Sequence, residues 1–128
     1  MAAITSFFAC KKKETQATCI AGMGGNVTIV AFPQHHGNPI LNRGTYLDSA
    51  FVKFNTKDFP GNKLSNYDTV FVGEAGEDHV HLRNLTCGSY YIWMTGFDTT
   101  SNQRVTGGLP YEFSKTSGEI ELIVAVTE

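Results

Sequence analysis

Apolar and polar residues alternate along most of this chain with a period of two, and no stretch sustains the 3.6-residue period of a helix. The alternation is clearest over residues 79–98, where Val80 and Leu82 point one way while His79, His81 and Arg83 point the other. That is the pattern of a strand with one buried and one wet face. After a tight corner, Tyr90, Ile92 and Met94 fall on one face and Tyr91, Trp93 and Phe97 on the other. A strand apolar on both sides is covered on both sides, so this one is predicted to be central.

The other strands follow from the same reading. In residues 26–32, Val27, Ile29 and Ala31 alternate with Thr28, Val30 and Phe32, and Pro33 is expected to stop the run because it has no N–H for a ladder. Residues 34–48 read as a long connection with a brief extended piece at Ile40 and Leu41, and residues 50–55 as the next strand. A loop around Phe59-Pro60-Gly61-Asn62 leads to a strand at 67–72. Residues 104–113 suit an edge or a bulge because of Gly107, Gly108 and Pro110. In the last strand Ile120, Leu122, Val124 and Val126 form one apolar face. About seven strands with regular turns predict an all-β fold, a seven-stranded antiparallel sandwich with Val80, Leu82, Leu85, Tyr90, Ile92, Leu122 and Val124 buried.

Composition agrees and narrows the function. The 128 residues fit one domain with a real core, and 13 glycines with abundant Phe, Tyr, Val and Thr favour short strands and turns. The formal charge of −2 gives no broad field, and no basic stripe is interleaved with aromatics, so nucleic acid is not an expected partner. No apolar run approaches the ~20 residues that span a bilayer.

The corner Asn84-Leu85-Thr86-Cys87-Gly88-Ser89-Tyr90 resembles the Asn-Leu-x-Pro-Gly-x-Tyr signature of transthyretin-like, carboxypeptidase-regulatory-like and related immunoglobulin-like sandwiches, with Cys87 where those families carry Pro. The resemblance implies a buried Leu85. Gly88 is expected to take a positive φ, and Tyr90 to act as a tyrosine corner bonded to backbone a few residues upstream. Ser-Phe-Phe-Ala-Cys10-Lys-Lys-Lys-Glu resembles the end of a bacterial lipoprotein signal of Bacteroidetes type. That implies acylation of Cys10 and attachment to the outer membrane, on its periplasmic or cell-surface side. Residues 1–9 are then a signal-like segment, short enough that an upstream portion is expected. Residues 10–25 are the anchor and tether, with Gly22 to Gly25 as a flexible end, and residues 26–128 the sandwich domain. Lys53-Phe54-Asn55-Thr56, Asp58-Phe59-Pro60-Gly61, Tyr67-Asp68 and Gly107-Gly108-Leu109-Pro110 complete a resemblance to Bacteroidetes lipoproteins with one transthyretin-like domain of uncharacterised function. With one of the three cysteines acylated, Cys19 and Cys87 are expected to pair in an oxidising envelope, the alternative being two separate thiols.

Candidate chemistry is sparse. His79 and His81, two apart on a strand, project from one face and are candidates to share a metal, with a third ligand from His35-His36. Exposed histidines on a β-face are the favoured reading, so no metal and no cofactor are expected. Asp58, Asp68, Glu74, Glu77 and Asp78 lack the spacing of a calcium loop and read as solvated turn acids. No nucleophile elbow is present, and neither Cys19 nor Cys87 sits in a catalytic motif. Tyr91, Trp93 and Phe59 are available as a carbohydrate platform, although a Trp on a central strand is more often core. The expectation is a non-enzymatic, lipid-anchored lipoprotein whose sandwich binds a protein partner, as an accessory subunit of an outer-membrane complex. A carbohydrate-binding or adhesive domain is the alternative.

Overall fold

The structure is a computed structural model that describes residues 18–128. The signal-like segment, Cys10 and the first part of the tether lie outside the described residues. Eight strands follow in order: β1 (Met23–His35), β2 (Asn38–Pro39), β3 (Ser49–Phe54), β4 (Thr69–Val72), β5 (Val80–Leu85), β6 (Gly88–Asp98), β7 (Gln103–Phe113) and β8 (Ser117–Ala125). Apart from a single 3-10 turn at Leu64–Asn66, no helix occurs among the described residues, and none there is long and apolar enough to cross a membrane.

The strands form an all-β sandwich of two four-stranded sheets. In the first, β1 is flanked on one edge by β8 and on the other by β5 and the short β2; in the second the order is β4-β3-β6-β7. Alternation decides which side chains meet between them. Val27, Ile29 and Ala31 of β1 and Val80, Leu82 and Leu85 of β5 face Ala50 and Val52 of β3 and Tyr90, Ile92 and Met94 of β6, all fully buried. Each large aliphatic side chain so covered contributes about 1.5–3 kcal/mol. Val124 belongs to this core, whereas Leu122 is only half-buried near the edge strand's outer margin.

Four features depart from the expected pattern. First, β1 and β8 run parallel over Asn26–Gln34 and Ser117–Ala125, so the sandwich is not wholly antiparallel. Second, Pro33 does not end β1. It falls where the strand passes from its last β5 pair, Ala31 with Val80, to its first β2 pair, Gln34 with Pro39, so the missing N–H interrupts no continuous ladder. Its carbonyl still accepts from Ile40 N–H at 3.0 Å. Third, β7 is an edge strand as expected, but its register with β6 runs without a bulge from Gly88–Phe113 to Asp98–Gln103.

The fourth concerns the boundary expected between Gly25 and Asn26, which falls inside β1. The glycines there are not a flexible end. They form an irregularity in which Met23 and Val27 both oppose Leu85, and a Cβ on Gly25 would come within 2.2 Å of the Leu85 carbonyl oxygen. Close approach of two backbones, rather than mobility, requires glycine at this position.

Candidate functional site

The corner is built from both ends of the β5–β6 connection and from the chain leading into β1. Leu85 and Tyr90 are fully buried, Tyr90 lying parallel to Phe113 at 5.6 Å between ring centroids and edge-on to Phe54 at 5.8 Å. The Tyr90 hydroxyl donates to the Thr86 carbonyl and accepts from Gly22 N–H at 3.0 Å. Gly88 has φ +150°, and a Cβ there would lie 2.5 Å from the Ala21 nitrogen. Here too, the lack of a side chain lets a second strand of backbone lie against the corner.

That second strand is residues 19–22. Cys19 is disulfide-bonded to Cys87, Thr86 N–H donates to Gly22 O at 3.0 Å, and Thr86 Oγ1 donates to Ile20 O at 2.7 Å. Ala21 is buried, with its N–H on Asn55 Oδ1 at 3.3 Å. Residues 19–22 of the expected tether are thereby strapped to the buried corner.

The histidines separate into two clusters. On the outer face of the first sheet, the ligand atoms of Glu77, His79 and His81 lie within 4.8 Å of one another. His79 Nδ1 is 2.9 Å from Asp78 Oδ1, and its Nε2 is 3.5 Å from Glu77 Oε1. His35 and His36 do not supply the third ligand proposed for them; they group with Glu128 instead. His35 is buried at the end of β1, its Nδ1 2.7 Å from Asp98 Oδ2 and its Nε2 2.7 Å from Glu128 Oε1. The hydrogen bond with Asp98 raises the His35 pKa above its usual value against the opposing effect of burial, and Glu128 raises it further. Asp98 is held far below the usual carboxylate range, chiefly by the Thr100 hydroxyl and then by His35.

Asp48 is in a different state. It is fully buried and neither carboxylate oxygen has a hydrogen-bond partner, so burial alone pushes its pKa up to about 7. Its backbone is satisfied, with N–H on Asn42 Oδ1 at 2.6 Å and carbonyl on Gly73 N–H at 2.9 Å.

The outer face of the second sheet carries the aromatics. Trp93 is not in the core between the sheets but on this outer side, 8% exposed because residues of the 55–68 loop fold over it. Tyr67 stacks on it at 5.9 Å, and Phe59 and Phe51 approach at 6.4 and 5.8 Å. Beside this cluster a groove of about 400 Å³ runs between Phe51, Leu64, Tyr67 and Val70, with Ser65, Asp68 and Thr69 adding a polar margin. Exposed Leu64, Val70 and Val72 make its surroundings apolar, and β4 at the sheet's end is paired on one side only.

No family model, curated protein or solved structure matches this chain. Function therefore has to be read from its own geometry. The sequence alone reads Glu77 and Asp78 as solvated turn acids and assigns no role to Asn42, Asp48 or Asp98. A signal for Glu77 was present in its spacing, since Glu77, His79 and His81 repeat at every second residue. Contacts of Asp98 and Glu128 with His35 cross 63 and 93 residues of sequence and leave no local trace.

Proposed function

We propose that this chain is a non-catalytic lipoprotein of the bacterial outer membrane, acylated at Cys10, whose sandwich serves as a protein-interaction module and accessory subunit of a larger envelope assembly. The observation that carries the interaction reading is the partly apolar groove beside β4, flanked by exposed aliphatic side chains. Leu64, Val70 and Val72 are each about half exposed or more, side by side with a groove and an unpaired strand edge. Clustered apolar exposure next to a free edge suits an extended, apolar segment of a partner protein that adds to the sheet and seats alternate side chains in the groove. The Cys19–Cys87 disulfide is in keeping with an oxidising compartment outside the cytoplasm. The carbohydrate reading is weaker, because the face of Trp93 that a sugar ring would need is taken by Tyr67.

The test expresses the full-length gene, with its upstream signal, in the native host and cross-links the envelope. Cys10→Ala is expected to move the protein from the membrane to the soluble fraction. Val70→Lys and Leu64→Glu are expected to leave it folded and membrane-bound but to abolish its cross-linked partner. Continued membrane fractionation of Cys10→Ala would remove the anchor; a partner captured equally by both groove variants would remove the docking site.

A further inference from the structure

We infer that Glu77, His79 and His81 form a binding site for a divalent cation of the zinc type. The three side chains alternate along one face of the chain entering β5, so their ligand atoms converge within 4.8 Å. Tetrahedral zinc with bonds of about 2.0–2.1 Å needs its ligand atoms about 3.3 Å apart, and His79 Nε2 and Glu77 Oε1 are already at 3.5 Å. Small side-chain rotations bring His81 in as the third ligand and leave a fourth position open to water or to a group from outside.

Two features around these ligands make the cluster more than a chance meeting of polar side chains. Asp78 Oδ1 lies 2.9 Å from His79 Nδ1. A carboxylate there accepts the Nδ1–H, which fixes the tautomer that presents a lone pair at Nε2, on the side of Glu77 and His81. A carboxylate behind a ligating imidazole is the usual way such a ring is oriented and made more basic. The backbone is held as well. Asn42, 2% exposed, donates from Nδ2 to the carbonyls of Glu77 at 2.8 Å and His79 at 3.1 Å, and from its own N–H to Glu77 O at 2.8 Å. A buried side chain from a distant loop thus fixes the two residues that flank Asp78, and the Phe32 ring, 5.3 Å from that of His79, walls one side. Ligands on a pre-set backbone lose little freedom when the ion arrives. Two imidazoles and one carboxylate favour Zn²⁺ and its neighbours over Ca²⁺ or Mg²⁺, which prefer all-oxygen sites.

The second cluster, His35, His36 and Glu128, is a weaker candidate, because the His35 ring is buried and its Nε2 sits 2.7 Å from Glu128 Oε1, a direct hydrogen bond tighter than the ligand spacing of about 3.3 Å around a tetrahedral ion.

The test is equilibrium titration of the full chain, carrying Cys10→Ser to remove the thiol outside the disulfide, with Zn²⁺ and separately with Ca²⁺, and with Co²⁺ as a spectroscopic probe. One Zn²⁺ per chain is expected, with tetrahedral-type Co²⁺ absorption and no comparable Ca²⁺ affinity. His81→Asn should abolish binding, Asp78→Asn should weaken it about 10- to 100-fold, and His36→Ala should leave it unchanged. All three positions are at least partly exposed, so unaltered melting of the ion-free variants verifies the fold. Absence of saturable Zn²⁺ binding, binding indifferent to His81→Asn, loss of binding in His36→Ala, or Ca²⁺ binding as tight as Zn²⁺ would each overturn the assignment.

Discussion

Asp48→Asn is expected to change the pH dependence of stability in a way that isolates one buried carboxyl group. Asp48 is fully buried without a partner for either oxygen, and its pKa rises from 3.8 to about 7 through loss of solvation alone. A carboxyl whose folded pKa is raised holds its proton more tightly in the folded state. The contribution of Asp48 to stability is therefore most favourable below about pH 4, worsens as pH rises from about 4 to 7, and levels off above that. At about 1.4 kcal/mol for each pH unit between the two values, the ionised group opposes folding by about 4 kcal/mol at pH 8. Solvent screening through the surrounding loops brings the working figure to about 2–4 kcal/mol.

The asparagine variant keeps the shape and cannot ionise. Its amide remains without a partner at a cost of about 1–3 kcal/mol, but that cost does not change with pH. The measured quantity is thus the difference between wild type and variant, which should shift in favour of Asp48→Asn by about 2–4 kcal/mol between pH 4 and pH 8. Urea unfolding followed by fluorescence reads it directly, because the chain has one tryptophan and that residue, Trp93, is 8% exposed in the fold. A difference that stays constant across this range would refute the reasoning and imply that Asp48 is solvated or paired in solution.

His35→Gln is expected to destabilise the fold most between about pH 4.5 and 6.5. Stabilisation from a raised imidazole pKa is fully present below 6.5 and fades as pH climbs through the folded value, whereas that from the lowered carboxylates fades as pH falls below 4.5 for Glu128 and 3.8 for Asp98. Urea midpoints across pH 4–9 check this, and a gap that widens above pH 8 would contradict it. Cys87→Ala opens a link across 68 residues and should lower stability by about 2–4 kcal/mol. Hydrogen exchange should show residues 19–25 opening before the core; an equal rate for both would mean that the strap does not depend on the disulfide.

Elements with one buried face were legible in the sequence. The alternation of Val80 and Leu82 against His79, His81 and Arg83 fixed both the strand and its orientation, because a one-residue slip would expose the whole apolar set. The corner was legible for a similar local reason: Leu85, Gly88 and Tyr90 act within a few residues of one another. Pairing between distant segments was not. Nothing in residues 117–125 says that their partner is β1 in parallel, or that Gly25 is required by the carbonyl of Leu85 rather than by a flexible linker. The aromatic pattern of β6 correctly implied cover on both faces, but not that the outer cover for Trp93 comes from a loop carrying Phe59 and Tyr67.

The two proposed sites lie on opposite outer faces of the sandwich, and this bears on how they would act together. His79 and His81 stand on the outside of the first sheet, while Val70 and the groove beside it belong to the outside of the second. A partner seated on β4 therefore leaves the cation ligands uncovered, and ion binding does not compete with docking by occlusion. The direct covalent connection between the two faces is residues 73–79, which join β4 to β5 and are pinned by Asn42. Gly76 N–H also donates to Asn42 O at 2.8 Å, so the same buried residue restrains both the turn after β4 and the ligand-bearing entry to β5. Because Asn42 already holds the backbone of Glu77 and His79, an ion bound there is expected to change its order little and to leave partner binding on the opposite face unaffected. Partner capture that changes with added Zn²⁺ or with a chelator would show instead that the two faces of the sandwich are coupled.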